Sequence, residues 1–303
     1  MRALIVGAAA GGGLPQWNCN ASNSGAVWRG AGDAPAPATQ SSLAVSADGN
    51  DWALINASPD IRAQIMARPQ LQPRDPARHG LRDTPIRAVL LTNGDIDHIA
   101  GLLTLRERQA FDLVATAEIH GVLNANPIFN ALDPSLVRRR TVALDAAFEL
   151  TPGVEATLFA APGKTPLFLE EGDVRTDVIG EQTVGASLRA GGETLHHVPG
   201  CARMTPELAA RLRGAACVLF DGTLWSDDEM IAQGVGAKTG RRMGHMSMSG
   251  PDGSIAAFAE LEVRRKVFVH VNATNPVWRD GPERRAAEAA GWEIAHDGLE
   301  IQL

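Results

Sequence analysis

Tyrosine is absent from this 303-residue chain, against 8 Phe and 6 Trp. An enzyme that modifies tyrosine would gain from carrying no targets of its own, but the Ala-, Arg- and Gly-rich bias of the whole chain accounts for the absence without that. Cysteine is scarce: Cys19, Cys201 and Cys217 are an odd number at wide spacing, which excludes a recognisable disulfide framework. Free thiols fit a reducing compartment. No window reaches the roughly 18 apolar residues of a membrane span, and "MRALIVGAAAGGG" breaks into glycine before it forms the apolar region of a signal peptide. A cytoplasmic protein with no membrane partner is expected. An excess of positive charge is also missing. A net charge of −7 argues against a large phosphate-binding surface, so nucleic acid is not an expected partner unless the fold gathers a local basic patch.

What is present is a soluble globular composition in which strand and helix patterns alternate from end to end. "RALIVG" reads as a first strand and is followed by a glycine-rich loop. Strands follow in "SSLAVSADG" and "DWALINA", and "SPDIRAQIMA" reads as a helix with Ser58 as N-cap and Pro59 at its first position. "IRAVLLT" is a buried strand and "GLLTLRERQ" the start of a helix; "FDLVATAEIHGVL" is a strand running into a helix. The runs "VEATLFAA", "ASLRAGGETLHHV", "ACVLFDG" and "RKVFVHVN" are β-like. "TPELAARLRG" and "GPERRAAEAAG" are helical, and "WEIAHDGLEIQL" closes the chain as a terminal β pair. No internal repeat or linker appears, so one mixed α/β domain over residues 1–303 is expected.

The turn "LTNGDIDHIAG" carries the clearest chemistry. It lies between a buried strand and a helix, a place where α/β sheets bind ligands. A two-metal hydrolase would put His, His, Asp and His at positions 93, 95, 97 and 98; here they are Asn93, Asp95, Asp97 and His98. Other polar groups share this strand-end setting: Cys201 after "HHVPG", Asp221 after "CVLF" and His270 in "VFVHVN". Each alone is better explained by a cap or a satisfied core group. Two imidazoles with one or two carboxylates are also the inventory of a mononuclear metal site. "GAAAGGG" fits neither phosphate-loop pattern and is read as a tight turn near the site. His196 and His197 would face opposite sides of a strand, so at most one enters a pocket.

The order of a strand, a D-H turn, a strand-end Asp, the "GHMSMS" turn and a late strand-His resembles the metallo-β-lactamase superfamily, in the branch of the tRNA 3′-processing nucleases. More narrowly, "GAAAGGGLPQWNCN", "INASPDIRAQI", "DIDHIAGLLTLRE", "VPGCARMTPEL", "LFDGTLWSDDEM", "GHMSMSGPDGS" and "HVNATNP" resemble the PqqB family of pyrroloquinoline quinone (PQQ) biosynthesis over essentially the whole chain. The resemblance implies an αββα sandwich of two mixed sheets flanked by helices. It also implies that Asn93 and Asp95 abolish the first metal site and leave one at Asp97, His98 and His270. Such a set suits Fe(II), and zinc can occupy it on purification. Asp221 and Cys201 are alternative further ligands. The implied reaction is hydroxylation by O₂ of the tyrosine ring in a peptide-derived Glu-Tyr precursor of PQQ, with His245 and Asp95 as candidates for proton transfer. Asn93, Asn272, Asn275, Arg241 and Arg242 are candidate substrate contacts, although Asn275 before Pro276 also suits an Asx turn. Relatives often place three cysteines after "QWN" for a structural zinc; only Cys19 stands here, so no zinc is expected, and Trp17 or Trp28 would have to pack the loop. A homodimer is compatible with the sequence. Two rival readings stay open, a metal-dependent hydrolase and a PQQ carrier that uses the basic run "KTGRRMGH".

Overall fold

The computed structural model describes residues 1–303. The strands of its first half are β1 (Arg2–Gly7), β2 (Ser42–Ser46), β3 (Trp52–Ile55), β4 (Ile86–Leu90), β5 (Phe111–Ala115) and β6 (Val137–Thr141). Those of its second half are β7 (Ala147–Thr151), β8 (Val154–Ala160), β9 (Val184–Ala190), β10 (Glu193–Val198), β11 (Cys217–Asp221), β12 (Arg265–Val269) and β13 (Trp292–Ile294), and β14 (Glu300–Gln302) ends the chain. They form two seven-stranded sheets, β14-β1-β2-β3-β4-β5-β6 and β13-β12-β11-β10-β9-β8-β7. In the first sheet the pairings from β14 to β3 are antiparallel and those from β3 to β6 parallel. In the second they are antiparallel from β7 to β10 and parallel from β10 to β13. The two halves therefore repeat one topology, although no sequence repeat announces it.

The apolar composition of the strands explains this layering. "WALI" and "CVLFD" are buried along their whole length, as expected of strands covered on both faces. Both faces of the first sheet, through neighbours such as Leu4 and Ile5, and one face of the second contribute to a shared core of 46 residues. The other face of the second sheet packs Val218, Phe220 and Phe268 against Leu208, Leu212 and Ala287 from the helices Pro206–Leu212 and Pro282–Ala289. Trp292 stacks on Phe268 with ring centroids 3.8 Å apart.

Two local devices hold the strand ends that carry the polar residues. Asn56, in a left-handed conformation with φ 64°, accepts from the Thr92 amide at 2.9 Å and donates to its hydroxyl at 2.9 Å. Next to it, Ala57 donates to the His98 carbonyl at 2.8 Å and accepts from the Gly101 amide at 2.9 Å. A Cβ on residue 101 would sit 2.1 Å from the Ser58 carbonyl, so only glycine lets the two loops close on each other.

Four expectations need correction. The helix expected from Ser58 starts at Ile61: the Ser58 hydroxyl accepts from the Asp60 amide at 3.2 Å and donates to Gln64 Oε1 at 3.1 Å, and Pro59 and Asp60 form a turn ahead of the helix. The helix after β4 starts early, at Ile96–Ile99, and continues as a tighter turn through Ala100–Arg106, so Asp97 and His98 lie on its first turn. The terminal strands do not pair with each other: β13 joins β12 and β14 joins β1. Neither tryptophan is buried in the N-terminal loop: Trp17 is 81% exposed, and Trp28, largely exposed, ties the loop through its indole N–H on the Gln16 carbonyl at 3.3 Å. Asn23 donates to the carbonyls of Ala273 and Asn275 at 2.9 Å each, and Arg279 donates to Asn23 Oδ1 at 2.9 Å. No helix is long and apolar enough to cross a membrane.

Candidate metal centre

The polar strand ends of the two sheets meet in one cavity of about 430 Å³, a volume ordinary for small-molecule sites. Asn93, Asp95, Asp97 and His98 enter it from the turn after β4. His270 and Asn272 follow β12, Thr223 follows β11, and Ala10 and Gly11 come from the glycine-rich loop. That loop is a tight turn beside the site, as its sequence suggests: Gly12 and Gly13 have φ of 94° and 69°. His270 is itself left-handed, at φ 56°, a strained conformation that points to function for a non-glycine residue.

Asp97, His98 and His270 bring one ligand atom each within 4.8 Å of the others, and so do Asp221, His245 and His270. The two groups differ in what is already satisfied. Both oxygens of Asp221 are engaged: Oδ1 accepts from the Thr223 amide at 3.0 Å and hydroxyl at 2.6 Å, and Oδ2 from the Cys201 amide at 2.9 Å and His245 Nδ1 at 2.6 Å. In the first group, His98 Nδ1 donates to Asn93 Oδ1 at 2.6 Å, while its Nε2 is fully buried with no partner. A buried nitrogen left open 3.8 Å from Asp97 Oδ2, which is itself 3.1 Å from His270 Nε2, is what a cation would satisfy. The donor set fits a metal: two imidazoles and one carboxylate, each imidazole fixed through its other nitrogen. For His270 that anchor is Thr223 Oγ1, 2.8 Å from Nδ1.

The electrostatics agree with this division. Burial pushes the Asp97 carboxyl up, but the neighbouring His98 and the hydrogen bond from His270 outweigh it and hold it well below the usual carboxylate range. Burial pulls His98 down to about 4, which keeps its ring neutral at physiological pH. Burial also disfavours a charged His270, but the hydrogen bond to Asp97 and the charges of Asp97, Asp221 and Asp95 raise it overall. Asp95 is raised, first by burial and then by the charge of Asp97. Its Oδ2 accepts from Asn93 Nδ2 at 2.8 Å.

His245 lines the cavity with its Nδ1 committed to Asp221, and its ring stacks on His270 with centroids 5.3 Å apart. Asn272 also lines it. Other candidates fall elsewhere. Cys201 joins neither ligand group: its thiol is buried in an apolar cluster, raised by burial and by Asp221, and donates to the Arg203 carbonyl at 3.2 Å. Its contribution is the backbone N–H on Asp221. Asn275 is fully buried and donates to the Gly222 carbonyl at 3.1 Å while accepting from the Val277 amide, the Asx turn before Pro276. Arg241 and Arg242 do not reach the cavity; Arg241 pairs with Asp252 at 3.4 Å and Arg242 with Glu170 at 2.8 Å. The adjacent histidines divide as expected. His196 meets the Ser187 hydroxyl at 2.9 Å, and His197 turns inward, pulled down to about 3 by burial and by His98 and His270. Sequence reasoning missed Thr223, Lys164, Phe168 and Met230, all on the cavity wall. Only Thr223, two residues after a strand-end Asp, carried a local signal.

A profile of the beta-lactamase superfamily domain matches residues 51–271. The chain is 55% identical over 303 residues to the coenzyme PQQ synthesis protein B of Rhizobium meliloti (strain 1021), covering 100% of this chain and 98% of the relative. The crystal structure of Zn(2+)-bound PqqB from Methylobacterium extorquens is 53% identical, with a TM-score of 0.97 over 100% of both chains. A diphosphatase of the PhnP family shares the fold at a TM-score of 0.67 and 19% identity, covering 100% of this chain and 97% of its own.

Proposed function

From the premise that this chain belongs to the coenzyme PQQ synthesis protein B family of the beta-lactamase superfamily, we propose that it hydroxylates the tyrosine ring of the peptide-derived Glu-Tyr precursor of PQQ, using O₂ and one Fe(II). The observation that carries this reading is the donor set. The first pair of the two-metal motif is Asn93 and Asp95, so one site remains, and it offers two imidazoles and a carboxylate with His98 Nε2 open. A set of this kind, with positions left for substrate and gas, suits non-haem iron. Zinc hydrolysis relies more on three firm ligands that leave one position for water. A relative holds zinc, and the same donors would accept either ion.

Asp97, His98 and His270 would hold the metal, and bound iron would supply the activation of O₂. The chain's own residues supply the rest. Asn93 and Thr223 fix the ligand imidazoles. His245, oriented by Asp221 at 2.6 Å, presents its remaining nitrogen to the cavity it lines and is placed to take the phenol proton. Asp95, whose carboxyl is raised by burial and by the charge of Asp97, is placed to return one. Ile96, Leu167 and Phe168 give the cavity an apolar side against which an aromatic ring can lie. In overall balance one oxygen atom enters a ring C–H bond and the other leaves as water, with two protons and two electrons from an external reductant.

Anaerobic loading with Fe(II), followed by O₂, ascorbate and a Glu-Tyr dipeptide, tests this by mass spectrometry. A gain of one oxygen is expected with the wild type and not with Asp97→Ala or His98→Ala. An iron-loaded protein that leaves the dipeptide unchanged would refute it.

A further inference from the structure

The cavity has a second charged end that the metal chemistry does not use. Lys164 and Lys238 both line it together with Asp97, His98 and His270, although they lie 74 residues apart on different loops. Their ion-pair partner is one carboxylate, Glu170, which Lys164 reaches at 2.8 Å and Lys238 at 3.9 Å. Arg242, behind the wall, takes the same carboxylate at 2.8 Å and 3.3 Å. Three cations thus share one anion, whose side chain is only 8% exposed, in a chain whose net charge is −7.

The charge of Lys164 also acts on Asp95 in the same cavity, so what the two lysines offer a ligand is unused hydrogen-bond donors. The Lys164 side chain is 11% exposed and spends one N–H on Glu170 and one on the Thr165 carbonyl at 3.1 Å, which leaves one donor. Lys238 makes no hydrogen bond through its ammonium group, so its three donors are free for water or ligand. A partly desolvated ammonium group without full compensation is unfavourable, and a ligand carboxylate would relieve it. If the pair existed only to anchor Glu170, Arg242 alone would do so with its paired contact.

We infer that Lys164 and Lys238 are the carboxylate-recognition end of the cavity, and that Glu170 is the internal counter-ion that holds them when no substrate is bound. The inference deepens the proposed function by assigning its substrate class: an amino-acid-derived compound whose carboxylates sit on the two lysines while its ring faces the metal end. Arg242 is a positioning residue that acts through Glu170.

The test compares two probes by calorimetry on the zinc-loaded protein, the N-acetylated Glu-Tyr dipeptide, a dicarboxylate, and the uncharged N-acetyl-Gln-Tyr amide. The wild type is expected to favour the dicarboxylate by at least about tenfold, the scale of one charge-assisted hydrogen bond. Lys164→Met and Lys238→Met should each lose most of that preference while leaving the neutral probe and the zinc content unchanged. Arg242→Gln, which disturbs Glu170 from outside the cavity, should keep it. A wild type without preference, lysine variants that keep it, or an equal loss for both probes would overturn the inference. Because calorimetry reads binding alone, a retained preference with no oxygen incorporation would defeat the hydroxylase reading and leave the lysine site standing.

Discussion

Replacing Asn93 by alanine should weaken metal binding without removing a ligand. Asn93 Oδ1 accepts from His98 Nδ1 at 2.6 Å, and both side chains are buried. That bond fixes the tautomer in which Nε2 is free for a cation and sets the ring's orientation. In Asn93→Ala the Nδ1–H would be left unpaired in the buried site, a loss of about 1–3 kcal/mol. Deletion of such a support typically lowers affinity about 10–100-fold, which corresponds to roughly 1.4–2.7 kcal/mol, so the two magnitudes agree. Competition for Zn²⁺ against a chromophoric chelator at pH 7 measures it directly. At that pH the His98 ring, pulled down to about 4, is neutral, and its protonation does not blur the result. Asn93→Asp keeps the acceptor for His98 but turns the donor to Asp95 into a second carboxylate, so it should recover part of the loss, whereas His98→Ala should fall well below Asn93→Ala. Wild-type affinity in Asn93→Ala, or the same loss in Asn93→Asp, would refute the assignment of this hydrogen bond.

Thr223→Val removes the hydroxyl that lies 2.8 Å from His270 Nδ1 and donates to Asp221 at 2.6 Å; the same chelator assay should show a loss of about 10–100-fold. Thr223→Ser should retain affinity, and equal behaviour of the two variants would assign the effect to packing. Glu229→Gln tests a buried carboxyl away from the metal. Burial raises Glu229 to about 7 from 4.5, despite hydrogen bonds from Thr274 and the Trp225 amide. A folded-state value above the unfolded one means that ionisation opposes folding: the penalty is absent below pH 4.5, grows as pH rises and is complete above about 7, where it reaches about 3 kcal/mol. The variant should therefore gain thermal stability over the wild type at pH 8 and not at pH 4.5, and a gain independent of pH would contradict the burial argument.

What the sequence made legible was whatever a short stretch of chain decides. Asp97 and His98 are neighbours on one turn, and Asp221 and His270 end apolar strands, so their convergence follows from the parallel ends of β4, β11 and β12 facing one edge. Cys201 misled because a sequence displays its thiol, whereas the fold uses its amide on Asp221. Arg241 and Arg242 misled for a related reason: charge is visible in sequence, but Asp252 and Glu170, which occupy the two guanidinium groups, lie 11 and 72 residues away. Lys164 belongs to a loop with no periodic pattern, so only tertiary packing places it on the cavity wall. The repeated topology of the halves was hidden because strand pairing depends on alternation and connections, which unrelated apolar residues satisfy equally well.

The broken motif at Asn93 and Asp95 now has a physical account. Both residues are still occupied, with each other and with the ligands that remain. Asn93 holds His98 through its oxygen and Asp95 through its nitrogen, and the Asp95 amide returns to Asn93 Oδ1 at 3.2 Å. An imidazole at position 93 would offer the His98 ring no carbonyl acceptor. Asp95 gives the Asn93 amide nitrogen its acceptor, which keeps the Asn93 side chain turned with its oxygen toward His98. Asn93 and Asp95, which stand where the two-metal motif has histidines, therefore support the donor set of Asp97, His98 and His270. That coupling favours a single cation on a rigid half-set of donors, the arrangement from which the chemistry proposed for this chain would proceed.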